Sequence, residues 1–535
     1  MLAITIALIL AQPKTPAGPT LATPVTLGAK AGSKSTLTLK GTKLDKLSEV
    51  WLGTQKIPTT NIITKADQAT VTLELPKGLA VGVHALRVVT PEGISNLRPF
   101  TIDDLAEVPA AKGRNKKETA QVLEGLCTVA ATTTADTSDW YKFSVKAGER
   151  WTFEVVGRRL GSPIDPVIML YDAKSGREMP GLYADDTIGL QTDCRLTHTF
   201  KADAEVLIEV RDTTYRGGSD YGYRLRVGDF PSCLCALPLR VSAPTTLMRW
   251  NSNDSDPLQG FLATFDQDWL LSPQRVSGGV RGWGLPVVRS PLPESFEVEP
   301  NDDYRSGDNY PLPWAITGIF QKKSDRDCFA VMLKKGEKVS FIAEAAEHNA
   351  PTEVLLKVLD HAGKELATSN PEKVPATIEF TAPAEGKFIV QAEQLNYVWG
   401  PNEVYRLVAK PMLPDAVVML GSDRVTLPGK IAITNVTRQY GYDGPIEVKW
   451  AGDGVKGSAT IPAKTTPTAA APFLLNLEAT ANAKPGVIDG RIVSEVKGRN
   501  AVTASTLEPL KAAFPGLTNP PPEMNGIVYV LIPSK

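Results

Sequence analysis

The chain has 535 residues, too many for one hydrophobic core, and is expected to divide into about four or five units of ordinary domain size. Its 42% hydrophobic and 22% charged residues are those of folded modules rather than of a disordered or collagen-like chain. With 58 Lys plus Arg against 59 Asp plus Glu, the net charge of −1 supplies no broad basic field, which argues against nucleic acid or anionic lipid as a partner.

At the N-terminus the apolar run Leu2 to Leu10 (LAITIALIL) precedes Ala11, Gln12 and Pro13, the pattern of a short secretory signal covering residues 1–12. A buried N-terminal strand is the other reading of that run. The run is too short to span a bilayer, and no other apolar stretch approaches membrane length, so no membrane span is expected. The expected location is secreted, periplasmic or cell-surface. Residues 13–30 are rich in Pro, Thr, Ala and Gly and read as a mobile tether.

Beyond them, turn residues separate short alternating runs such as Ser35 to Lys40 (STLTLK), Ala69 to Leu75 (ATVTLEL) and Val339 to Ala343 (VSFIA), each the period-two signature of a half-buried strand. No amphipathic helical stretch of a dozen residues interrupts them. The expected fold class is all-β, built of tandem β-sandwich modules, immunoglobulin-like and jelly-roll-like. Residues 31–106 close on Gly82-Val83-His84-Ala85-Leu86-Arg87-Val88-Val89-Thr90-Pro91-Glu92-Gly93-Ile94-Ser95-Asn96. That ending resembles the immunoglobulin-like TIG (IPT) module.

An internal repeat organises the middle of the chain. Asp139 to Asp172 aligns without a gap onto Asp327 to Asp360 at a constant offset of 188, with Gly148 on Gly336 and Glu149 on Glu337 in register. Further on, Tyr223-Arg224-Leu225 pairs with Tyr405-Arg406-Leu407. Each copy has a polar turn ending in Asp, an alternating strand, a Lys/Gly/Glu hairpin turn and a second alternating strand. The pattern, together with Glu297-Val298-Glu299-Pro300-Asn301-Asp302, resembles the bacterial pre-peptidase C-terminal (PPC) family, a jelly-roll-like β-sandwich found beside secreted peptidases and in surface proteins. The resemblance covers residues 107–230 and 294–412. Between the copies, 231–293 reads as a reduced β module or structured linker. Residues 413–512 read as another immunoglobulin-like sandwich, and 513–535 (with PGLTNPPPEM) as a Pro-rich tail. Pro-containing stretches near 107–117, 286–300 and 409–415 mark boundaries at which the modules are expected to separate.

The search for chemistry returns little. The chain contains no G-x-S-x-G, H-E-x-x-H, G-x-x-x-x-G-K or dinucleotide-binding glycine motif, and its four histidines, His84, His198, His348 and His361, stand apart from one another. Cys127, Cys194, Cys233, Cys235 and Cys328 are too few for a disulfide scaffold and lack zinc spacing; they read as small buried hydrophobes with at most one or two bridges. Trp140 and Trp151 fall on repeat strands and read as core, while Trp269, Trp283, Trp314 and Trp399 lie in loop-like sequence as candidates for ligand contact. The expectation is a non-enzyme: an exported envelope or surface protein with a binding, adhesion or structural role, whose partners are a polysaccharide or an envelope or secreted protein. The alternative is a secreted carbohydrate-active or peptidase-associated protein working through an unrecognised carboxylate pair.

One acidic cluster stands out. Glu297, Glu299, Asn301 and Asp302 are followed by Asp325 and Asp327, giving five carboxylates and one amide for a hard cation that takes six to eight oxygens. In calcium-binding members of the family, the resemblance implies, the E-x-E-P-N-D segment and a following Asp turn hold the ion. At the same offset the first copy has Pro109, Ala111, Gly113, Arg114 and Thr137, with only Asp139 remaining. The expectation is therefore one structural Ca²⁺ in the second copy and none in the first. A solvated acidic linker, with Asn301 and Asp302 making a turn after Pro300, is the other reading.

Overall fold

The computed structural model describes residues 18–24, 26–233, 235–250, 261–263, 269–271, 276–277, 279–305 and 307–534. The expected signal, 1–12, lies outside the described residues. The chain is all-β: strands run from Thr20 to Ile532, and among the described residues the one α-helix is the seven-residue Leu507–Ala513. No helix among them is long and apolar enough to cross a membrane.

The strands form where alternation lets one face leave water. In Gln68–Glu74 the residues Ala69, Val71 and Leu73 point into a core while their neighbours stay half-exposed, and Ile446–Ala451 buries every second residue. Four two-sheet sandwiches result, each with its own apolar cluster. The first pairs the sheet Thr20–Leu21, Lys34–Thr42, Gln68–Glu74, Thr59–Thr64 with a second sheet led by Gly28–Lys30 and Arg98–Asp103. Within its described residues the expected tether at 13–30 is corrected: Thr20 and Leu21 pair antiparallel with Thr42 and Gly41, and Gly28–Lys30 pairs parallel with Arg98–Asp103, because Leu21 and Ala29 fill that core, while Leu27 packs on Val156 and Leu160.

The two repeated sandwiches have the same strand order. In the first, Ala106–Pro109, Cys127–Thr132, Gly222–Gly228, Arg150–Val156 and Cys194–Thr199 face Gln121–Leu123, Asp139–Val145, Ala204–Asp212, Pro166–Asp172 and Glu178–Ala184. In the second, Glu294–Phe296, Trp314–Ile319, Val404–Pro411, Lys338–Glu344 and Ala376–Thr381 face Arg326–Leu333, Gly386–Gln394, Val354–Asp360 and Glu365–Thr368. A parallel bridge between Asn309 and Ala330 replaces the strand Gln121–Leu123. The corresponding buried arginines also clamp the entering strand alike, Arg224 to Glu107 and Arg406 to Glu294, each at 2.6 Å. Between the sandwiches, the described residues from 235 to 289 make small sheets of two or three strands, and Leu237 and Leu239 sink into the second copy's core.

The final sandwich runs past 512. Val528–Ile532 is an inner strand, parallel to Arg424–Thr426 and antiparallel to Gly486–Glu495. The expected Pro-rich tail at 513–535 is thus corrected: Leu510, Phe514 and Leu517 pack on Ala85 and Leu97 of the first sandwich, and Asn519 donates to the Ala346 carbonyl at 2.8 Å. Five-residue strands and a short wedge need no long periodic run, so prolines between them dominate the sequence pattern.

Buried charges pair across the module boundaries. Arg87 of the first sandwich forms a buried ion pair with Asp423 of the last and lies 4.6 Å over the Tyr529 ring. Arg226 binds Asp103 across the next junction at 2.6 Å while holding Glu154 at 2.8 Å. Burial opposes the charge on Asp423, but the Arg87 and Arg424 guanidinia outweigh it and hold this carboxyl below its ordinary range. The stability it contributes is present above the unfolded aspartate value and is lost as pH falls through the lower folded value. Arg87→Ala leaves the buried Asp423 with Arg424 alone and is expected to lower stability by about 1–3 kcal/mol, read from urea denaturation.

Candidate metal centre

The second repeated sandwich gathers its acids at one end. Glu297 follows the entering strand Glu294–Phe296; its backbone N–H donates to the Thr317 carbonyl at 3.0 Å, and its Oε1 accepts from the Ile319 N–H at 2.8 Å. That pairing sets the carboxyl against the core, where Oε2 is buried and has no hydrogen-bond partner. Asn301 is pinned by its carbonyl, which accepts from the Cys328 N–H at 3.0 Å, and by its own N–H, which donates to Glu299 Oε2 at 3.0 Å. Asp327 lies on the strand Arg326–Leu333 and is fully buried, its Oδ2 accepting from the Tyr405 hydroxyl of the facing sheet.

Glu297, Glu299 and Asp327 thereby place carboxylate oxygens within 4.8 Å of one another. The Asn301 amide stands 3.2 Å from Glu299 Oε2 and 3.1 Å from Asp327 Oδ1. With its NH₂ toward them it donates to both; with its oxygen toward them it adds a fourth oxygen to a cage only a cation would hold together. Burial and then the Glu299 charge push Glu297 well above the ordinary carboxylate range, and burial and then Glu297 do the same to Asp327.

Asp302 and Asp325, the other two expected ligands, stand outside that group of oxygens. Asp302 pairs with Lys322 at 2.5 Å, which holds its carboxyl low against partial burial. Asp325 sits in the turn after Phe320, where its Oδ2 accepts from the Lys322 N–H at 3.3 Å. Four of the six residues form the cage, and two brace the turn beside it.

The first copy shows what the same position does without acids. Asp139, the counterpart of Asp327, is buried and accepts from the Tyr223 hydroxyl at 2.6 Å, as Asp327 does from Tyr405. Its positive charge is built in: Arg114 Nη2 lies 2.8 Å from Asp139 Oδ2, and Arg114 Nε donates to the Tyr141 hydroxyl at 3.2 Å. In the second copy the residues at those two offsets are Asp302 and Phe329, so the guanidinium and the hydroxyl that steadies it are both gone.

Sequence reasoning saw Arg114 only as the loss of an acid, although its sign already said that a cation stays. It missed Tyr223 and Tyr405 as partners of the buried Asp, and it missed Asp165, Asp185 and Asp186 in the first copy, whose carboxylate oxygens also lie within 4.8 Å of one another; the adjacent Asp185-Asp186 pair was the available signal. Of the tryptophans proposed for ligand contact, Trp314 is corrected to core, buried at the head of its strand 5.9 Å from Phe329. The ring of Trp283 is covered by Arg226 at 4.6 Å and Arg159 at 5.1 Å, whereas Trp399 is exposed. The side chain of Trp269 lies outside the described residues. No two of the five cysteines form a disulfide, and four are buried. His348 touches Glu344 at 3.4 Å in the Arg406 network, and burial lowers its pKa; no second histidine or cysteine joins it among the described residues.

No protein-family model matches the chain, and no curated protein matches it. Among solved structures, the pre-peptidase C-terminal domain of a collagenase from Bacillus anthracis is 12% identical over 21% of this chain and 100% of that one, with a TM-score of 0.17. SGBP-B of a Bacteroides ovatus mixed-linkage glucan utilization locus, solved with a mixed-linkage heptasaccharide, is 9% identical over 72% of this chain and 73% of that one, with a TM-score of 0.15. A tetra-tandem repeat from the extending region of a large adhesion protein is 9% identical over 91% of this chain and 98% of that one, with a TM-score of 0.14.

The exchange of Arg114 for an acidic cage has a direct consequence. Arg114→Met leaves Asp139 buried without its cation and is expected to destabilise the first repeated sandwich by roughly 3 kcal/mol, a loss that calcium does not restore. Thermal denaturation of the variant with and without millimolar calcium measures both.

Proposed function

We propose that the protein is an exported, non-catalytic envelope or cell-surface protein whose sandwiches serve binding, adhesion or structural support, with two PPC-like copies of which the second is fastened by one Ca²⁺. The observation that carries this reading is the pair of equivalent sites: around the same Tyr–Asp contact, one copy supplies Arg114 and the other gathers Glu297, Glu299, Asn301 and Asp327. Oxygen donors without nitrogen or sulfur suit a hard cation, and three flexible carboxylates that can each bind through two oxygens suit calcium's large, variable coordination shell better than magnesium's small octahedral one. Asp302 and Asp325 would then act from the neighbouring turn rather than on the ion.

Location and ligand support each other. Extracellular modules bind calcium with dissociation constants of about 10⁻⁴–10⁻³ M, a range that fills outside a cell and stays empty in the cytosol. The ion's task would be structural, joining the segment 297–301 to the sandwich strand Arg326–Leu333 where Arg114 joins the corresponding elements of the first copy. A structural role also agrees with four other buried carboxylates, Asp103, Asp139, Glu154 and Asp423, each of which is paired with an arginine.

Calorimetry on the full chain at neutral pH is expected to show one Ca²⁺, abolished by Glu299→Gln or Asp327→Asn. Saturating calcium at a hundred times its dissociation constant is expected to stabilise the fold by about 2.7 kcal/mol. An EDTA-treated protein that melts identically with and without millimolar calcium overturns the site. So does an ion that survives both substitutions and leaves with Asp185→Asn, which would place it in the first copy. Export is checked by mass spectrometry of the mature protein, expected to lack about eleven or twelve N-terminal residues; an intact Met1 on protein recovered from the cytoplasm overturns it.

A further inference from the structure

Both repeated sandwiches carry the same loop, and both set a tyrosine where the backbone favours glycine. In the first copy it joins Ala204–Asp212 to Gly222–Gly228, and in the second Gly386–Gln394 to Val404–Pro411. Asp212 Oδ1 accepts from the N–H groups of Thr214 at 3.0 Å and Arg216 at 3.2 Å; Gln394 Oε1 accepts from those of Asn396 at 2.7 Å and Val398 at 2.9 Å. Tyr215 N–H donates to the Asp212 carbonyl at 3.0 Å and Tyr397 N–H to the Gln394 carbonyl at 3.2 Å. The backbone then turns left-handed at the tyrosine, with φ of +57° at Tyr215 and +58° at Tyr397, and passes a glycine at +144° (Gly218) or +130° (Gly400).

A bulky residue at positive φ is unfavourable, and glycine would take this place with less strain. The loop's hydrogen bonds use only the tyrosine's backbone, so the ring is not needed to close the turn. In the second copy the ring is also not core: Tyr397, Val398 and Trp399 are 65%, 47% and 50% exposed in succession. The first copy is reduced at the same place, because Tyr215 is 43% exposed and the Arg211 guanidinium lies 4.5 Å over its ring.

The chemistry of the tip narrows its ligand. Two aromatics and a valine half-exposed offer on the order of 300 Å² of apolar surface, well below the roughly 800 Å² per partner of a stable protein interface. Asn396 and Glu353 are joined to each other beside the tip, Glu403 is buried behind Gln394, and Phe320, which bonds Glu403 and Gly400, opens a turn that carries the exposed Lys322 and Lys323. A border with charges of both signs is not the basic cluster that draws an anionic lipid surface. Aromatic faces next to a carboxylate and an amide match an uncharged sugar, whose C–H face stacks on a ring while its hydroxyls hydrogen-bond at the edge. We infer that Tyr397-Val398-Trp399 is a glycan-binding subsite that takes one or two pyranose rings of a neutral polysaccharide, with Tyr215 a weaker counterpart. The inference rests on the non-catalytic binding reading and names the surface that performs it. A single small subsite binds weakly, and a chain of tandem modules is the architecture in which weak contacts with a repeating polymer add up.

Native affinity electrophoresis of the full chain, through gels containing soluble neutral glucans, xylans or mannans, tests it. At least one polymer is expected to retard the wild type, and Trp399→Ala and Tyr397→Gly are each expected to weaken the interaction about tenfold. Tyr215→Gly is expected to have a smaller effect. The melting temperature of Tyr397→Gly is expected to be unchanged or higher, because glycine relaxes the left-handed backbone, so lost binding is not lost folding. Retardation equal in wild type and both variants overturns the tip while the binding reading stands. Migration unaffected by every polymer overturns the tip together with the polysaccharide part of that reading. Sedimentation with vesicles of phosphatidylcholine and phosphatidylglycerol that Trp399→Ala abolishes overturns the glycan in favour of a lipid surface.

Discussion

Taking a carboxylate out of water costs several kcal/mol unless a positive charge meets it inside. Asp423 meets Arg87, Asp103 and Glu154 share Arg226, and Asp139 meets Arg114. Arg87–Asp423 and Arg226–Asp103 cross from one sandwich to the next, whereas Arg114–Asp139 and Arg226–Glu154 lie within the first repeated sandwich. Hydrophobic burial makes each module, and the pairs that cross set one module against the next. Such pairs add less net stability than apolar contacts of equal area, but a misplaced neighbour leaves a charge bare, so they are well suited to specifying one arrangement. The acidic cage of the second repeated sandwich is one place among the described residues where no side-chain cation meets the buried acids.

How much of this was legible in the sequence depends on the distance over which each cause acts. Strand alternation is local, so Gln68–Glu74 and Ile446–Ala451 are readable from their own residues, and duplication made the two middle sandwiches visible before any contact was known. The edges of the molecule were not legible. Thr20–Leu21, Gly28–Lys30 and Val528–Ile532 are too short for periodicity, and prolines surround them; they become strands because a partner edge is waiting. Arg87 and Asp423 stand 336 positions apart, and nothing local in either distinguishes a buried pair from two surface charges.

The candidate site divides in the same way. Spacing brought Glu297, Glu299, Asn301 and Asp327 onto one short list, and the fold brings those four together. It could not show that Lys322 draws Asp302 aside, because that depends on the turn at Ser324, which is itself left-handed at φ +60°. Nor could spacing reveal Tyr405, which reaches Asp327 from the opposite sheet. The comparison of Arg114 with the acidic cage needed both kinds of information: the repeat to align the positions, and the fold to show that the aligned positions surround the same buried aspartate.

Two sandwiches of one strand order can differ most where the core does not constrain them. Here both divergences fall at one end of the fold. The turn from Phe320 to Asp325 adjoins the acidic cage, and its Phe320 is tied to the aromatic loop by two backbone bonds, Phe320 N–H to the Glu403 carbonyl at 3.0 Å and Gly400 N–H to the Phe320 carbonyl at 2.9 Å. In the first copy the built-in guanidinium braces the corresponding end at all times, and there Tyr215 is capped by Arg211. In the second, on the reading proposed above, the brace is exchangeable and the tip is open. A loop that holds a strained tyrosine toward solvent stays rigid only if the turn beneath it cannot yield, so the proposed ion and the proposed subsite make demands on the same few backbone bonds. On that reading, the captured charge would fall in the copy whose loop tip is the more exposed, since Tyr397 is 65% and Tyr215 43% exposed.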